Sequence, residues 1–151
     1  MISSLSDPEI SEVLEDNAWG HLGCNDGTDT YVYPLNYFFD GKSIICHSQD
    51  GTKVRIMRKN TRVCFQVDEV VDHRNWRSVM VLGEFQELED ERERYQAIKG
   101  FLDRRMQIKI TDTYLQSLKE TEAEISRQHK NSKTVIYRIV IDKKLGQYEA
   151  D

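Results

Sequence analysis

The sequence predicts a mainly β fold, a single antiparallel barrel with helices packed outside it. Three observations predict this. Short apolar runs crowd roughly the first ninety residues, tight turn signals separate them, and strands do not alternate regularly with helices as a doubly wound sheet requires. The chain has 151 residues, one domain's worth, and it carries neither an internal repeat nor a low-complexity linker.

Residues 7–16 (DPEISEVLED) read as a helix: Ser6 or Asp7 can cap it, Pro8 suits its first turn, and Ile10, Val13 and Leu14 share a face. A strand over residues 18–24 ends at the turn cluster Asn25, Asp26, Gly27. The aromatic-rich strand 30–39 (TYVYPLNYFF) ends at Asp40-Gly41, the strongest two-residue hairpin signal in the chain, and 42–48 is its returning strand. Residues 50–60 (DGTKVRIMRKN) break the β pattern and read as a short helix with a glycine at its mouth. Strands follow at 62–71 and 76–88; in the first, Val63, Phe65 and Val67 alternate with Cys64, Gln66 and Asp68. Residues 89–105 form a helix with acids first and bases last, as the helix dipole favours, and Tyr95, Ile98, Phe101 and Leu102 along its inner stripe. The polar segment 106–133 is expected to hold a short helix around Tyr114, Leu115 and Leu118. A final strand spans 134–142, and 143–151 reads as a tail without a core pattern.

Composition excludes several functions. The formal net charge of −5 disfavours a general affinity for nucleic acid or anionic membranes. No apolar run approaches the roughly 20 residues of a membrane span, and the acidic start lacks the features of a secretory signal, so a cytoplasmic location is expected. Cys24, Cys46 and Cys64 are odd in number and widely spaced, which indicates neither a disulfide framework nor a zinc knuckle. His21, His47, His73 and His129 show no metal-binding spacing, and no nucleophile elbow occurs.

Three places carry chemistry. Pro34 interrupts a strong strand and marks an edge, a bulge or a point where the sheet gives way; Asn36, on the same face, can offer an amide to a polar ring edge, although a hydrated edge residue explains it equally. In the run from His47 to Lys53 (HSQDGTK), hydroxyls at Ser48 and Thr52, a permissive glycine and a lysine fall at a strand-to-helix junction. Free N–H groups at a helix start, with hydroxyls and a lysine, form a phosphate cradle; an ordinary turn before a solvated basic helix is the competing reading. Trp76 and Arg77, followed by Ser78, offer a flat face and a guanidinium suited to an aromatic cofactor, or to a core or interface.

Taken as a set, these residues resemble the nitroimidazole-resistance branch of the pyridoxamine 5′-phosphate oxidase-like superfamily. The matching pieces are G-x-L at 20–22, P-x-N-Y at 34–37, H-S-x-x-G-x-K at 47–53, R-x-N-x-R-V-C-F at 58–65 and W-R-S-V-x-V-x-G at 76–83, in one order over roughly residues 10 to 142. The resemblance implies a six-stranded antiparallel split β-barrel over 1–151 that forms a homodimer with FMN (FAD less expected) in clefts between subunits. It places Ser48, Thr52 and Lys53 on the FMN phosphate, and Tyr33, Pro34, Leu35 and Asn36 along the isoalloxazine ring. His47 falls beside or behind the ring, and Trp76, Arg77 and Ser78 fall at the flavin of the partner subunit. The implied activity is an FMN-dependent oxidoreductase acting on a small aromatic or quinone-like substrate. A non-catalytic flavin- or haem-binding stress protein and a deazaflavin-dependent reductase are the alternatives. True pyridoxamine phosphate oxidases end in an arginine- and tryptophan-containing segment; this chain ends in LGQYEAD with no Trp after Trp76, so vitamin B6 oxidation is not the expected activity.

Overall fold

Six strands close into an antiparallel barrel in the computed structural model of the chain, which describes residues 1–106 and 134–151. The helix expected around Tyr114, Leu115 and Leu118 lies outside the described residues. In chain order the elements are β1 (Ser3–Ser4), α1 (Asp7–Asp16), β2 (Trp19–Asn25), β3 (Thr30–Phe39), β4 (Ser43–Gln49), α2 (Thr52–Lys59), β5 (Arg62–Asp72), β6 (Asn75–Glu87), α3 (Glu91–Met106) and β7 (Thr134–Glu149). The barrel order is β4-β3-β2-β5-β6-β7, and β7 closes the ring by pairing with both β6 and β4.

Helix α1 starts where the sequence predicts. Ser6 and Glu9 form a reciprocal capping box: the Glu9 N–H donates to Ser6 Oγ at 3.3 Å and the Ser6 N–H donates to Glu9 Oε1 at 3.0 Å. Its apolar face, Ile10, Val13 and Leu14, is buried in the main core with Leu22, Phe65, Val79 and Tyr137. Helix α2 lies at the other end of β2, where the Asn60 side-chain amide donates to the Asn25 carbonyl at 3.0 Å. The barrel interior is thus closed near one end by α1 and near the other by α2.

Helix α3 packs outside the wall. Ala97 and Phe101 bury a second cluster with Ile45, Leu88 and Ile136. A Cβ on Gly100 would stand 2.3 Å from the Phe38 ring, so only glycine allows this approach.

The tail expected over 143–151 is instead strand. β7 runs unbroken as 16 residues, with Ser78 opposite Gln147 and Met80 opposite Leu145 on β6, and Ser3 opposite Tyr148 on β1. A register shift between Leu82 and Gly83 of β6 separates the two halves of this ladder. Beyond it the inward positions are Lys144, Gly146 and Tyr148, opposite Val81, Val79 and Arg77, and at Gly146 a Cβ would meet Ile10 at 2.7 Å and Leu5 at 2.9 Å. A strand whose inward face carries a lysine, a glycine and one tyrosine shows no apolar alternation, and a reading based on hydrophobic period misses it. A chain truncated after Asp142 should lose the partner of residues 76–82 and unfold at clearly lower urea. A midpoint equal to that of the full chain, followed by circular dichroism, would show that this half of β7 adds nothing.

Candidate functional site

Strand β3 pairs with β2 along its length, from Trp19 opposite Asn36 to Asn25 opposite Thr30. Its ladder with β4 is short, limited to Tyr37 with Cys46, Phe38 with Ile45 and Phe39 with Ile44. Past that point the two strands part, and residues 47–49 pair only with β7. The result is a seam between β3 and β4. The Tyr37 N–H donates to the Ala18 carbonyl at 3.0 Å, across to β2. Alternation along the ladder therefore turns the backbone of Leu35 and Tyr33 toward β2 and that of Pro34 toward the seam. A proline there removes no ladder bond, which is why a strong strand tolerates it.

Helix α2 begins beside the seam. Gly51 is its N-cap and supplies no side-chain cap, and the first helical bond is Arg55 N–H to the Gly51 carbonyl at 3.1 Å. The N–H groups of Thr52, Lys53 and Val54 thus precede the hydrogen-bonded ladder of the helix, the arrangement that favours an anion. Thr52 is exposed. The Lys53 ammonium lies 5.2 Å from the centre of the Tyr33 ring, and Tyr33 stacks on Tyr31 at 6.4 Å. No carboxylate pairs with Lys53 among the described residues. Two nearby arginines are engaged, Arg58 with Asp50 at 3.2 Å and Glu87 at 2.7 Å, and Arg62 with Glu84 at 3.6 Å and with Asp142, while Arg55, exposed in the first turn of α2, makes no ion pair among the described residues.

The other residues singled out in the sequence fall into distinct surroundings. Ser48 is buried, and its hydroxyl shares a 2.9 Å hydrogen bond with that of Tyr137; burial pushes the Tyr137 phenol well above its ordinary value. His47 points the opposite way, edge-on to Phe101 of α3 at 4.8 Å, and so stands on the outer side of β4. Leu35 is part of the core. The Asn36 amide donates to the Ala18 carbonyl at 2.8 Å. Trp76, Arg77 and Ser78 lie on β6, separated from β3 by β2 and β5. Arg77 grips Glu69 Oε1 through Nε at 2.9 Å and Nη2 at 2.6 Å, and reaches Glu12 at 3.1 Å. Glu69 Oε2 in turn accepts from the Asn17 amide at 2.7 Å, so Arg77 fastens the end of α1 to the β5–β6 hairpin. Ser78 accepts from the Gln66 amide at 3.0 Å. One chain brings Tyr33, Thr52 and Lys53 together at the seam but leaves the β6 group apart.

The register also reveals residues that sequence reasoning passed over. Pro34 lies opposite His21, His21 opposite Gln66, Gln66 opposite Met80 and Met80 opposite Leu145. Residues directly opposite share a face, so these five form a row across the outer surface. His21 lies between buried Gly20 and Leu22, a signal that it points outward, but its neighbours follow only from the pairing. Among the described residues no helix covers this face, and Trp19 and Val32 on it are 65% and 64% exposed.

Cys46 is fully buried, and burial drives its thiol far above the ordinary range; burial raises Cys24 as well, with Cys64 adding to the shift. Among the described residues no His, Cys, Asp or Glu cluster could hold a metal ion, and no helix is long and apolar enough to cross a membrane.

An antiparallel barrel parted at one seam, with an uncapped helix start beside the parting, defines the split-barrel class. Within that class the chain belongs to the pyridoxamine 5′-phosphate oxidase family, whose model matches residues 6–144. It is similar to a FAD-binding protein of Mesorhizobium loti, at 27% identity and a TM-score of 0.75 over 99% of each chain. A candidate 5-nitroimidazole antibiotic resistance protein of Bacteroides thetaiotaomicron shares the fold, at 16% identity and a TM-score of 0.73 over 98% of this chain and 87% of that one. An uncharacterized protein of Rhizobium meliloti (strain 1021) is 33% identical over 84 residues, and the match spans 56% of each chain, about half the length of that relative.

Thiol accessibility follows from these positions. In the native chain Cys64, only partly buried, should react with a disulfide reagent first, and Cys46 only after denaturation. Mass mapping that finds Cys46 labelled as fast as Cys64 would contradict this packing.

Proposed function

We propose that this chain binds a flavin at the β3–β4 seam, FMN in preference to FAD, and acts as a flavin-dependent oxidoreductase on small aromatic or quinone-like molecules. The observation that carries this reading is the junction at 51–53: an uncapped helix start and a lysine without a carboxylate partner, set against the Tyr33 ring where the sheet parts. A phosphate fits the N–H groups and Lys53, with Thr52 adding a hydroxyl. A planar ring fits the edge formed by residues 33–36. The FAD-binding description of the Mesorhizobium loti protein supports a flavin, and the preference for FMN rests on the junction offering one helix start, with Lys53 beside it, to one phosphate.

The flavin supplies transfer of a hydride or electrons; the chain supplies position and exclusion of water. Thr52 and Lys53 anchor the phosphate, and Pro34 and Asn36 border the ring. Ser48 supports the cradle from within through Tyr137, and His47 braces β4 against α3. The uncovered face of β2, β5 and β6, with Trp19 and Val32 exposed on it, is the surface by which two copies would meet. Such a homodimer would bring Trp76 and Ser78 of one copy toward the seam of the other.

Lys53→Ala should weaken FMN binding about tenfold, the scale of one charge-assisted hydrogen bond, with an unchanged circular dichroism spectrum. Equal affinity for wild type and variant in a fluorescence-quenching titration would remove Lys53 from the site. FMN should also raise the dimer fraction in sedimentation, because a ligand held by two chains stabilises their association; a monomer that holds FMN equally well would exclude a shared cleft. Turnover is tested by reduced flavin: reoxidation by a quinone no faster than by oxygen alone would leave a binding protein.

A further inference from the structure

The family resemblance places Tyr33 along the isoalloxazine ring, but its side chain stands on the other side of the strand. Residues alternate along β3: Leu35 and Tyr37 are buried in the core and Tyr31 and Tyr33 pack against it, while Val32 and Pro34 are exposed on the outer face. A planar ring bordered by Pro34 and Asn36 would lie on that outer face, where the Tyr33 phenol does not reach.

Tyr33 meets Lys53 instead. The Lys53 ammonium is 5.2 Å from the centre of the Tyr33 ring, inside the roughly 6 Å over which a cation is drawn to an aromatic face. The ring is itself held in place. Tyr31 and Tyr33 lie 6.4 Å apart with their planes 13° from parallel. The Tyr31 hydroxyl donates to Asp26 Oδ2 at 3.1 Å, and Asp26 Oδ1 accepts from the N–H groups of Asp29 at 2.7 Å and Thr28 at 2.9 Å. The β2–β3 turn thus fixes Tyr31, Tyr31 backs Tyr33, and Tyr33 lies under the cation.

This arrangement sets Lys53 apart from the other cations of α2. Arg58 is held by Asp50 and Glu87, and Arg55 has neither a carboxylate nor an aromatic ring among the described residues. A carboxylate on Lys53 would compete with a phosphate for the same charge. A ring face holds the ammonium more weakly and leaves its N–H donors open on the side away from the ring. It also restricts a flexible side chain before a ligand arrives, which lowers the ordering cost of binding.

We propose that Tyr33 is a positioning residue for the flavin phosphate: its ring holds Lys53 at the start of α2, and it acts on the cofactor through Lys53, not by contact with the isoalloxazine. The inference rests on the flavin reading.

The test titrates two ligands, FMN and riboflavin, which has the same ring system without the phosphate. Fluorescence quenching follows both in the full chain, in Tyr33→Leu, Tyr33→Phe and Lys53→Ala, and in the double variant Tyr33→Leu with Lys53→Ala. Tyr33→Leu should weaken FMN about three- to fivefold, the scale of one exposed cation–π contact, and leave riboflavin at its wild-type affinity. Tyr33→Phe keeps the ring face and should bind FMN as the wild type does. In the Lys53→Ala background, Tyr33→Leu should cause no further loss. Tyr33→Met takes the place of Tyr33→Leu if circular dichroism shows the leucine variant poorly folded, and the double variant decides if riboflavin binds too weakly to titrate. Four results would each overturn the proposal and leave the flavin reading standing: unchanged FMN affinity in Tyr33→Leu, an equal loss of both ligands in that folded variant, an equal FMN loss in Tyr33→Phe, or a further loss in the Lys53→Ala background. If the wild-type chain binds neither ligand, the flavin reading falls and this inference falls with it.

Discussion

Everything local to the candidate site depends on how little of β3 is paired with β4. Three residue pairs join them, and an antiparallel barrel could not survive so short a ladder if closure rested on it. Closure rests on β7 instead, which pairs with β4 over residues 134–140 and with β6 over nearly its whole length. The barrel can therefore open at one seam without unzipping. Pro34 turns its backbone toward the opened seam, and α2 begins beside it with no side-chain cap. The candidate site lies where the sheet is least paired, and the sheet can be so little paired there because closure is made elsewhere.

Charge distribution follows a similar logic. The chain carries more acid than base, and its acids sit where they fasten elements together. Asp50 and Glu87 hold Arg58, Glu84 and Asp142 hold Arg62, Glu69 and Glu12 hold Arg77, and Glu93 holds Arg138. Half-exposed pairs of this kind contribute modestly to stability, but they remove four arginines from competition for an anion. Lys53 and Arg55 are the cations left in the first turn of α2 among the described residues.

The sequence carried the fold well because its turns and alternating strands are local signals. The five barrel strands β2 to β6 fall where the apolar runs and the Asp40-Gly41 turn place them, the first part of β7 falls within 134–142, and Ser6 with Pro8 marks α1. The second half of β7 was illegible because its inward face carries Lys144, Gly146 and Tyr148, with one apolar ring among them, and its partners are supplied by backbone pairing with β6. The site was legible in part. Gly51, Thr52 and Lys53 are adjacent in sequence, so their junction could be read directly. The engagement of Arg77 by Glu69 and Glu12 spans 8 and 65 residues of sequence, and no local pattern encodes it. His21 beside Gln66 likewise depends on which strands pair, and β2 with β5 is a non-sequential pairing.

The separation of the two residue groups bears on how a site could use both. From β3 to β6 there are three strand steps, roughly 14 Å along the sheet at the usual spacing. That is too wide for one face of a single planar ring to touch residues 33–36 and Ser78 of the same chain at once. A second copy could join them by bringing its own β6 to the seam, and Trp19 and Val32, 65% and 64% exposed on the face of β2 and β3, are apolar surface that such a contact would take out of water.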